Sequence, residues 1–153
     1  MRNLESIDSL TQVAEIEIKY KNRKRGVTKI TKSMDAANTF RRIWYDDMEV
    51  RERFYVMYLN RANNVMGVQE LSSGGVSGTV VDSKLIFATA LKMLASGIIL
   101  AHNHPSDSIK PSAEDLRITE TVKTGAKTLD IAVLDHIILT RDEHYSFADE
   151  SIL

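Results

Sequence analysis

The part of the chain that most constrains its fold is residues 98–115, where an apolar run leads into two histidines. Residues 98–101 are all apolar and follow a glycine, but they are too few for a helix of their own. A short apolar run of this kind is typical of a buried strand. Because alternate side chains of a strand point to the same face, His102 and His104 are predicted to project together from its end.

The residues after the histidines predict a stiff loop and the start of a helix. Pro105 and Pro111, the two prolines of the chain, end the strand and restrict the loop, because proline fixes φ and lacks a backbone donor. A helix is predicted from Ser112, and Asp115 lies in its first turn. Two imidazoles and one carboxylate are therefore expected to meet at one point.

Each of these residues also has a purely structural interpretation. A histidine on a strand is most often a partly buried, hydrogen-bonded side chain. A serine three residues before an aspartate is the pattern of a plain helix cap. It is the combination that favours a metal site. Two imidazoles, one carboxylate and an open position form the ligand set of a catalytic zinc site, although iron(II) uses the same ligands.

Hydrolysis at a zinc site requires an activated water and a general base. A zinc-bound water ionises near pH ~7 and so supplies hydroxide under neutral conditions. No glutamate in this stretch has the H-E-x-x-H spacing that would place a base beside the metal. The base must therefore come from another part of the chain.

Composition excludes several classes of protein. The 153 residues, 43% of them hydrophobic, suit one globular domain, and a net charge of −1 gives no general attraction to nucleic acid. The absence of cysteine excludes disulfides, thiolate metal sites and a cysteine nucleophile. No apolar run approaches the ~20 residues of a membrane helix and no signal peptide is visible, so we expect a cytoplasmic protein with no membrane partner.

The chain divides into an N-terminal extension, residues 1–32, and a main domain, residues 33–153. Alternating apolar and polar residues at 16–20 predict a half-buried strand in the extension. Five basic residues within 19–25 predict a solvated hairpin. A contact with nucleic-acid phosphates is the weaker alternative, because few aromatic residues accompany the basic ones.

The main domain is predicted to alternate helices and strands. Periodicity and turn residues place helices at 34–48, 83–96 and 112–124, and strands at 54–59, 65–71, 79–81, from 98, at 131–139 and at 145–147. The predicted caps are Ser33 and Ser83, and the predicted helix ends are Gly97 and Gly125. This order predicts an α/β fold with functional residues at the carboxyl ends of strands.

Two of these helices have an apolar face that is predicted to pack in the core. In the first helix the face consists of Ala36, Ala37, Phe40, Ile43 and Trp44. In the second helix it consists of Leu85, Ile86, Ala90, Leu91 and Leu94.

The His-Asn-His-Pro run at 102–105, followed after six residues by Ser-Ala-Glu-Asp, resembles the JAMM motif of MPN-type metalloprotease domains. More closely, it resembles the RadC-like bacterial branch, over about residues 52–146. The resemblance implies a single JAB/MPN-type domain, with a mixed central β-sheet flanked by helices in a cytidine-deaminase-like architecture. The Zn²⁺ ligands that it implies are His102, His104 and Asp115.

The resemblance also implies two catalytic residues. Ser112 would help to stabilise the tetrahedral intermediate. The general base of the family is a glutamate in an E-x-F segment that enters a strand, and Glu52 matches that segment. Glu70, late in the returning strand of the same hairpin, is the alternative base, because spacing alone does not separate the two carboxylates.

The resemblance leaves the roles of three further residues undecided. Asp135 and His136 belong to the family pattern, and they either hydrogen-bond a metal-binding histidine or pin their strand to a neighbouring loop. Asp107 stands where the family usually has glycine. Its carboxylate would either add negative charge beside the metal or accept a backbone N–H.

The resemblance implies a zinc-dependent hydrolase, a metallopeptidase or isopeptidase acting on a peptide or protein substrate. The alternative is a non-catalytic metal-binding adaptor associated with DNA repair or processing, which would need neither a base nor an oxyanion donor. Full-length members carry a DNA-contacting helix-hairpin-helix region, whereas residues 1–32 predict a strand and a hairpin, which weakens the link to repair. Zinc nucleobase deaminases are excluded because they require a cysteine pair. The oligomeric state is not predicted.

Overall fold

A five-stranded mixed sheet lies between helices on both of its faces. The computed structural model describes residues 28–44, 46–74 and 80–153, so the strand predicted at 16–20 and the basic run at 19–25 lie outside the described residues. In chain order, the described elements are α1 (Ser33–Arg41), β1 (Arg53–Leu59), β2 (Val65–Ser73), α2 (Ser83–Met93), β3 (Gly97–Asn103), α3 (Ala113–Thr128), β4 (Ala132–Leu139) and β5 (His144–Ser146).

The strands follow the spatial order β2-β1-β3-β4-β5. β1 is antiparallel to β2 on one side and to β3 on the other, whereas β3 and β4 are parallel and are joined through α3. β5 adds to β4 as an antiparallel strand. The predicted α/β fold and the predicted hairpin of β1 and β2 are thereby confirmed.

Each face of the sheet buries its own apolar cluster, because alternate residues of a strand point to opposite faces. α1 covers one face with Ala36, Ala37 and Phe40. α2 and α3 cover the other face with Ile86, Ala90, Ile118, Val122 and Ala126. Ile98 and Leu100 of β3 belong to the second cluster, so His102, the next alternate residue, points toward α2 and α3.

Several predicted helix boundaries are wrong. α1 ends at Arg41 rather than at 48, and Ile43 lies in the following turn with 44% of its surface exposed. Its N-cap position is Lys32 rather than Ser33, because the Asp35 carboxylate accepts hydrogen bonds from the Thr31 and Lys32 N–H groups.

The two glycines predicted to end helices do not do so. α2 ends at Met93, where Leu94 takes a left-handed conformation with φ 53°, and Gly97 instead begins β3. α3 continues through Gly125 to Thr128. A Cβ at Gly125 would lie 2.6 Å from Cε2 of Phe87, so this glycine permits a close approach of α2 and α3 rather than ending a helix.

The predicted apolar face of α2 is too wide. Ile86 and Ala90, four residues apart, are fully buried, but Leu85 and Leu91 are each 49% exposed and Leu94 is 84% exposed. The N-cap of this helix is Asp82, whose carboxylate accepts from the Lys84 N–H, rather than Ser83. The helix thus packs through Ile86 and Ala90, with Phe87 and Met93 partly buried against the same apolar cluster.

The strand predicted at 79–81 is not formed at Val80 or Val81, and residue 79 lies outside the described residues. None of the helices within the described ranges is both long enough and apolar enough to span a membrane.

Candidate metal centre

His102, His104 and Asp115 converge where β3 ends and α3 begins. The two histidine Nε2 atoms lie 2.9 Å apart, and they lie 3.0 Å and 3.4 Å from the two carboxylate oxygens of Asp115. Strand alternation brings the histidines to one face, and the loop with two prolines returns the chain so that the first turn of α3 faces them. The structure therefore brings together the three residues that the sequence predicts as metal ligands.

The imidazole of His104 is oriented by the loop that follows it. Its Nδ1 lies 2.7 Å from the Ser108 carbonyl oxygen, which can only accept, so Nδ1 carries a proton and donates it. The neutral ring then presents an unprotonated Nε2 toward Asp115. The turn is closed by the Asp107 N–H, which donates to the His104 carbonyl oxygen at 3.0 Å.

Asp107 occupies a position at which the sequence resemblance has glycine. Its φ of 61° lies in the left-handed region that favours glycine and that aspartate tolerates better than most residues. The side chain is exposed and does not belong to the cluster of possible metal ligands. The backbone conformation thus accounts for the usual glycine, and the extra carboxylate is not a fourth ligand among these residues.

Asp115 is held by a reciprocal cap at the start of α3. Its Oδ2 accepts from the Ser112 N–H at 2.6 Å and from the Ser112 hydroxyl at 2.7 Å, while Ser112 Oγ accepts from the Asp115 N–H at 3.2 Å. This capping box orders the helix start. It also aims Oδ1 at His102 Nε2. The residue predicted as an oxyanion donor therefore lies at the site, with its hydroxyl proton shared with the carboxylate.

The electrostatics of the three residues favour a cation between them. Burial raises the pKa of Asp115, but hydrogen bonds with His102 and His104 outweigh it and hold that pKa well below its usual range. The hydrogen bond with Asp115 raises the pKa of His104 above its ordinary value of 6.5, although burial opposes this shift. An ionised carboxylate next to a histidine that gains a proton readily is a site that attracts positive charge.

A metal ion fits this donor set. Ligand atoms at ~2.0–2.2 Å from a tetrahedral zinc ion lie about 3.3–3.6 Å apart. The two Nε2 atoms are slightly closer than that, at 2.9 Å, and they lie 3.0 Å and 3.4 Å from the two different oxygens of Asp115. All three ligand atoms lie within 4.8 Å of one another. The cluster could therefore hold a metal ion, and two imidazoles with one carboxylate suit zinc or iron(II).

His136 contacts a predicted ligand, which answers half of the open question about the Asp-His pair. Its Nε2 lies 2.9 Å from His102 Nδ1, and its Nδ1 lies 2.7 Å from Thr119 Oγ1. Phe147 stacks on its ring at a centroid distance of 4.6 Å. Burial holds the pKa of His136 well below its ordinary value of 6.5. The ring is therefore a neutral partner of His102.

Asp135 has the other of the two predicted roles. Its carboxylate accepts from the Ser146 hydroxyl at 2.6 Å, from the Ala148 N–H at 3.0 Å and from the His136 N–H at 2.8 Å. Burial raises the pKa of Asp135 against these hydrogen bonds. Asp135 ties β4 to the end of β5 and to the residue two positions after it, and it does not contact the candidate metal ligands.

A cavity of about 850 Å³ opens beside the cluster. It is lined by all the predicted site residues, namely Glu52, His102, His104, Ser112 and Asp115. Apolar side chains, those of Phe54, Val80 and Ile118, form other parts of its wall. A second cavity, of about 950 Å³, lies at the Gly97 end of β3 and contains none of the predicted site residues.

Asn103, the residue between the two histidines, holds the backbone around Glu52. Its side-chain oxygen accepts from the Arg53 N–H at 2.8 Å, and its amide donates to the Arg51 carbonyl at 3.0 Å and to the Met48 carbonyl at 2.6 Å. The peptide groups on both sides of Glu52 are therefore fixed by one fully buried side chain. The bond to the Met48 carbonyl also ties the turn at 46–50 to β3.

Glu70, the alternative base, lies on the opposite face of the sheet. Its carboxylate pairs with the Arg53 guanidinium at 2.6 Å and accepts from the Tyr55 hydroxyl at 2.9 Å. Arg53 also pairs with Asp47, and this hydrogen bond, with a smaller contribution from Glu70, raises the pKa of the guanidinium. Glu70 thus belongs to an ion-pair network and does not line the cavity, whereas the role of Glu52 as the base stays a prediction.

Sequence reasoning missed two residues that organise the site, Asn103 and Thr119. Asn103 lies between two predicted ligands at the end of a strand that was predicted to be buried. A buried amide needs hydrogen-bond partners, and this was the available signal for a structural role. Thr119 gave no signal beyond its place four residues after Asp115 on the predicted helix.

Comparison with known proteins identifies the family. The matching family is described as RadC-like JAB domain, over residues 30–152. A UPF0758 protein of Flavobacterium johnsoniae is 39% identical over 141 residues, which cover 92% of this chain and 62% of that protein. A UPF0758 protein of Porphyromonas gingivalis is 42% identical over 104 residues, which cover 67% of this chain and 46% of that protein.

A UPF0758 protein of Fusobacterium nucleatum is 36% identical over 112 residues, which cover 73% of this chain and 47% of that protein. The chain thus spans between 46% and 62% of the length of these relatives. The predicted boundary between residues 1–32 and 33–153 stays a prediction. The resemblance seen in the motif is confirmed, and this chain belongs to the RadC-like JAB domain family.

Proposed function

We propose that the protein is a zinc-dependent hydrolase that cleaves an amide bond in a peptide or protein. The observation that carries the proposal is the convergence of His102, His104 and Asp115 in a cavity that also contains Glu52. Metal ligands alone would suit a binding module. Glu52 adds a carboxylate to the same cavity from a separate part of the chain, whose backbone a buried amide fixes, and this supports catalysis.

The proposed chemistry divides among the residues of the cavity. A zinc ion held by His102, His104 and Asp115 would supply a Lewis acid that polarises the scissile carbonyl and lowers the pKa of a water. Glu52 would accept the proton of the attacking water and pass it to the leaving amine. The backbone clamp by Asn103 would keep Glu52 within reach of that proton, since a general base acts only at hydrogen-bond distance.

Ser112 is proposed to donate to the substrate oxygen as negative charge develops on it. Its hydroxyl has one proton, which now bridges to Asp115 Oδ2 at 2.7 Å. The backbone N–H of Ser112 bonds the same oxygen at 2.6 Å. The hydroxyl can therefore turn toward the substrate while the backbone bond continues to hold the carboxylate.

The test compares wild type with Glu52→Gln, His102→Ala and Glu70→Gln after loading with zinc. Unfolded casein serves as the probe, and new amino termini are identified by mass spectrometry. We expect Glu52→Gln to keep zinc and lose cleavage, His102→Ala to lose both, and Glu70→Gln to retain both. Cleavage by Glu52→Gln at the wild-type rate would contradict the proposed base. Zinc uptake by wild type without any cleavage of casein or of a peptide library would favour the adaptor.

A further inference from the structure

His102 contacts a chain of buried polar atoms through the ring nitrogen that does not face Asp115. His102 Nδ1 lies 2.9 Å from His136 Nε2, and His136 Nδ1 lies 2.7 Å from Thr119 Oγ1. Thr119 Oγ1 is also 2.6 Å from the Asp115 carbonyl oxygen, one turn earlier in α3. This series of hydrogen bonds thus runs from the backbone of Asp115 to the ring of His102, and both residues are proposed metal ligands.

The protons on this chain can be ordered in two ways. In the first order, Thr119 donates to the Asp115 carbonyl oxygen, His136 donates from Nδ1 to Thr119, and His102 donates from Nδ1 to His136. In the second order, Thr119 donates to His136, His136 donates from Nε2 to His102, and His102 donates from Nε2 to the Asp115 carboxylate. Both orders contain the same number of protons, so they differ in tautomer and hydroxyl direction rather than in charge.

The two orders differ in what His102 can bind. Only the first leaves His102 Nε2 unprotonated, and a metal ion binds a histidine through an unprotonated nitrogen. The second order gives the Asp115 carboxylate a donor, which suits the site without a metal ion. With a metal ion on His102 Nε2 in the first order, and with the Asp115 carboxylate accepting from it in the second, every nitrogen of the two rings has a partner, so the fold accepts either order.

We propose that Thr119 and His136 are positioning residues of the metal centre, and that the direction of their hydrogen bonds reverses when a metal ion binds His102. The inference rests on the proposed zinc site but not on hydrolysis. Thr119 is needed because its hydroxyl joins His136 to the backbone of Asp115. In the metal-bound order its oxygen accepts from His136 while its own proton goes to the Asp115 carbonyl oxygen.

Burial makes the hydrogen bond between His136 and Thr119 important for metal binding. His136 is 0% exposed and Thr119 is 3% exposed. Phe54 packs edge-on against the His136 ring and Phe147 stacks on it, so the ring depends on Thr119 and His102 for its hydrogen bonds. Without the Thr119 hydroxyl, the metal-bound order would leave a buried N–H of His136 with no acceptor, which is costly.

Thr119→Val and Thr119→Ser are the matched pair for the test, because His136→Ala would open a cavity in the core and risks unfolding. Valine keeps the shape of threonine without its hydrogen bonds, whereas serine keeps the hydroxyl. Zinc affinity is measured by competition with a chromophoric chelator, and folding is checked by circular dichroism. We expect Thr119→Val to bind zinc about 10–100-fold more weakly than wild type, and Thr119→Ser to bind within about threefold of it.

Imidazole ¹⁵N NMR gives a second readout that does not depend on activity. We expect His102 and His136 to be protonated at Nδ1 in the zinc-loaded protein and at Nε2 in the metal-free protein. Protonation of His136 at Nε2 with zinc bound, or identical tautomers in both forms, would overturn the proposal. So would wild-type affinity of Thr119→Val or equal losses in both Thr119 variants.

The proposed function and this inference can fail separately. Wild-type protein that takes up no zinc would overturn both. A protein that binds zinc with the expected dependence on Thr119 but cleaves nothing would overturn the hydrolase and support the positioning role.

Discussion

Asp115 and Asp135 are two buried carboxylates, 7% and 4% exposed, that the protein surrounds in opposite ways. Asp135 accepts hydrogen bonds from the Ser146 hydroxyl and from the N–H groups of His136 and Ala148. Both of its oxygens face donors that belong to the protein. Its surroundings are complete, and they hold two segments of the chain together.

Asp115 has donors on one oxygen and histidines in front of both. Ser112 donates twice to Oδ2, while Oδ1 faces His102 Nε2 at 3.0 Å and Oδ2 faces His104 Nε2 at 3.4 Å. His104 already uses its other nitrogen as a donor to the Ser108 carbonyl. In its neutral form His104 therefore turns a nitrogen lone pair toward Asp115. Asp135, in contrast, faces only N–H and O–H groups that donate hydrogen bonds to it.

The difference separates a structural carboxylate from a binding one. Burial raises the pKa of Asp135, whereas hydrogen bonds with His102 and His104 outweigh burial and lower that of Asp115. A buried carboxylate with complete donors needs nothing more from its surroundings. A buried carboxylate that faces an imidazole lone pair is stabilised when a proton or a metal ion lies between the two groups. This distinguishes the candidate metal centre from the Asp135 contacts.

Alanine at Asp115 should mainly weaken zinc binding, whereas alanine at Asp135 should mainly lower the free energy of unfolding. The largest expected effect is that of Asp115→Ala on zinc affinity. Zinc binding by a protein site contributes about 10 kcal/mol or more, so loss of one of three ligands should weaken it by ~10²–10⁴-fold. In the metal-free protein the free energy of unfolding should fall by only about 1 kcal/mol, because Ser112 loses its partner in the capping box. Chelator competition and urea unfolding measure the two quantities.

Asp135→Ala is the matched control and should do the reverse. It leaves the buried Ser146 hydroxyl and His136 N–H unpaired, together with the part-buried Ala148 N–H, so the free energy of unfolding should fall by about 2–3 kcal/mol. Zinc affinity should change by less than about tenfold, because Asp135 contacts none of the ligands directly. Equal losses of zinc in both variants would remove the distinction between the two carboxylates.

The ligand cluster was predictable from sequence because it depends on local rules. Strand alternation put His102 and His104 on one face, and the helix start after Pro111 placed Asp115 in the first turn of α3. The roles of Asp135 and His136 were not predictable. They depend on a register shift in the pairing of β3 with β4, between Ile98 and Ile99, and on packing of β5.

The clamp on Glu52 was also beyond sequence reasoning. Asn103 reaches Met48 and Arg51, which are more than fifty residues away along the chain, so local propensity says nothing about the contact. The same holds for Gly125, which a local rule reads as a helix end. Its actual role is set by Phe87 of α2.

Zinc affinity should rise with pH, by up to about tenfold per pH unit. The pKa of His104 is raised above 6.5 by Asp115, so a proton on His104 competes with zinc at every pH below that raised pKa. The proton on His104 stabilises the metal-free fold fully below 6.5, and this contribution is lost as pH rises through the raised pKa. His136, whose pKa is lowered, is already neutral in this range.

Calorimetry in buffers of different ionisation enthalpy would count the proton released on zinc binding. His144→Gln is the control, since His144 begins β5 and does not belong to the ligand cluster. It should give the same curve as wild type. An affinity that stays flat above pH 6.5 would show that Asp115 and His104 do not share a proton.

Ser112→Ala should have the smallest effect of these substitutions, because it should lower stability without changing zinc affinity. Ser112 caps α3 and donates to Asp115, so alanine should lower the free energy of unfolding by about 1 kcal/mol. The loss should be the same with and without zinc, because the Ser112 N–H still holds Oδ2 in place. Ser112→Thr keeps both hydrogen bonds of the hydroxyl and should restore wild-type unfolding. A loss confined to the zinc-loaded form would instead mean that the hydroxyl completes the surroundings of Asp115 when the metal is bound, and the contrast with Asp135 would then hold only for the metal-free protein.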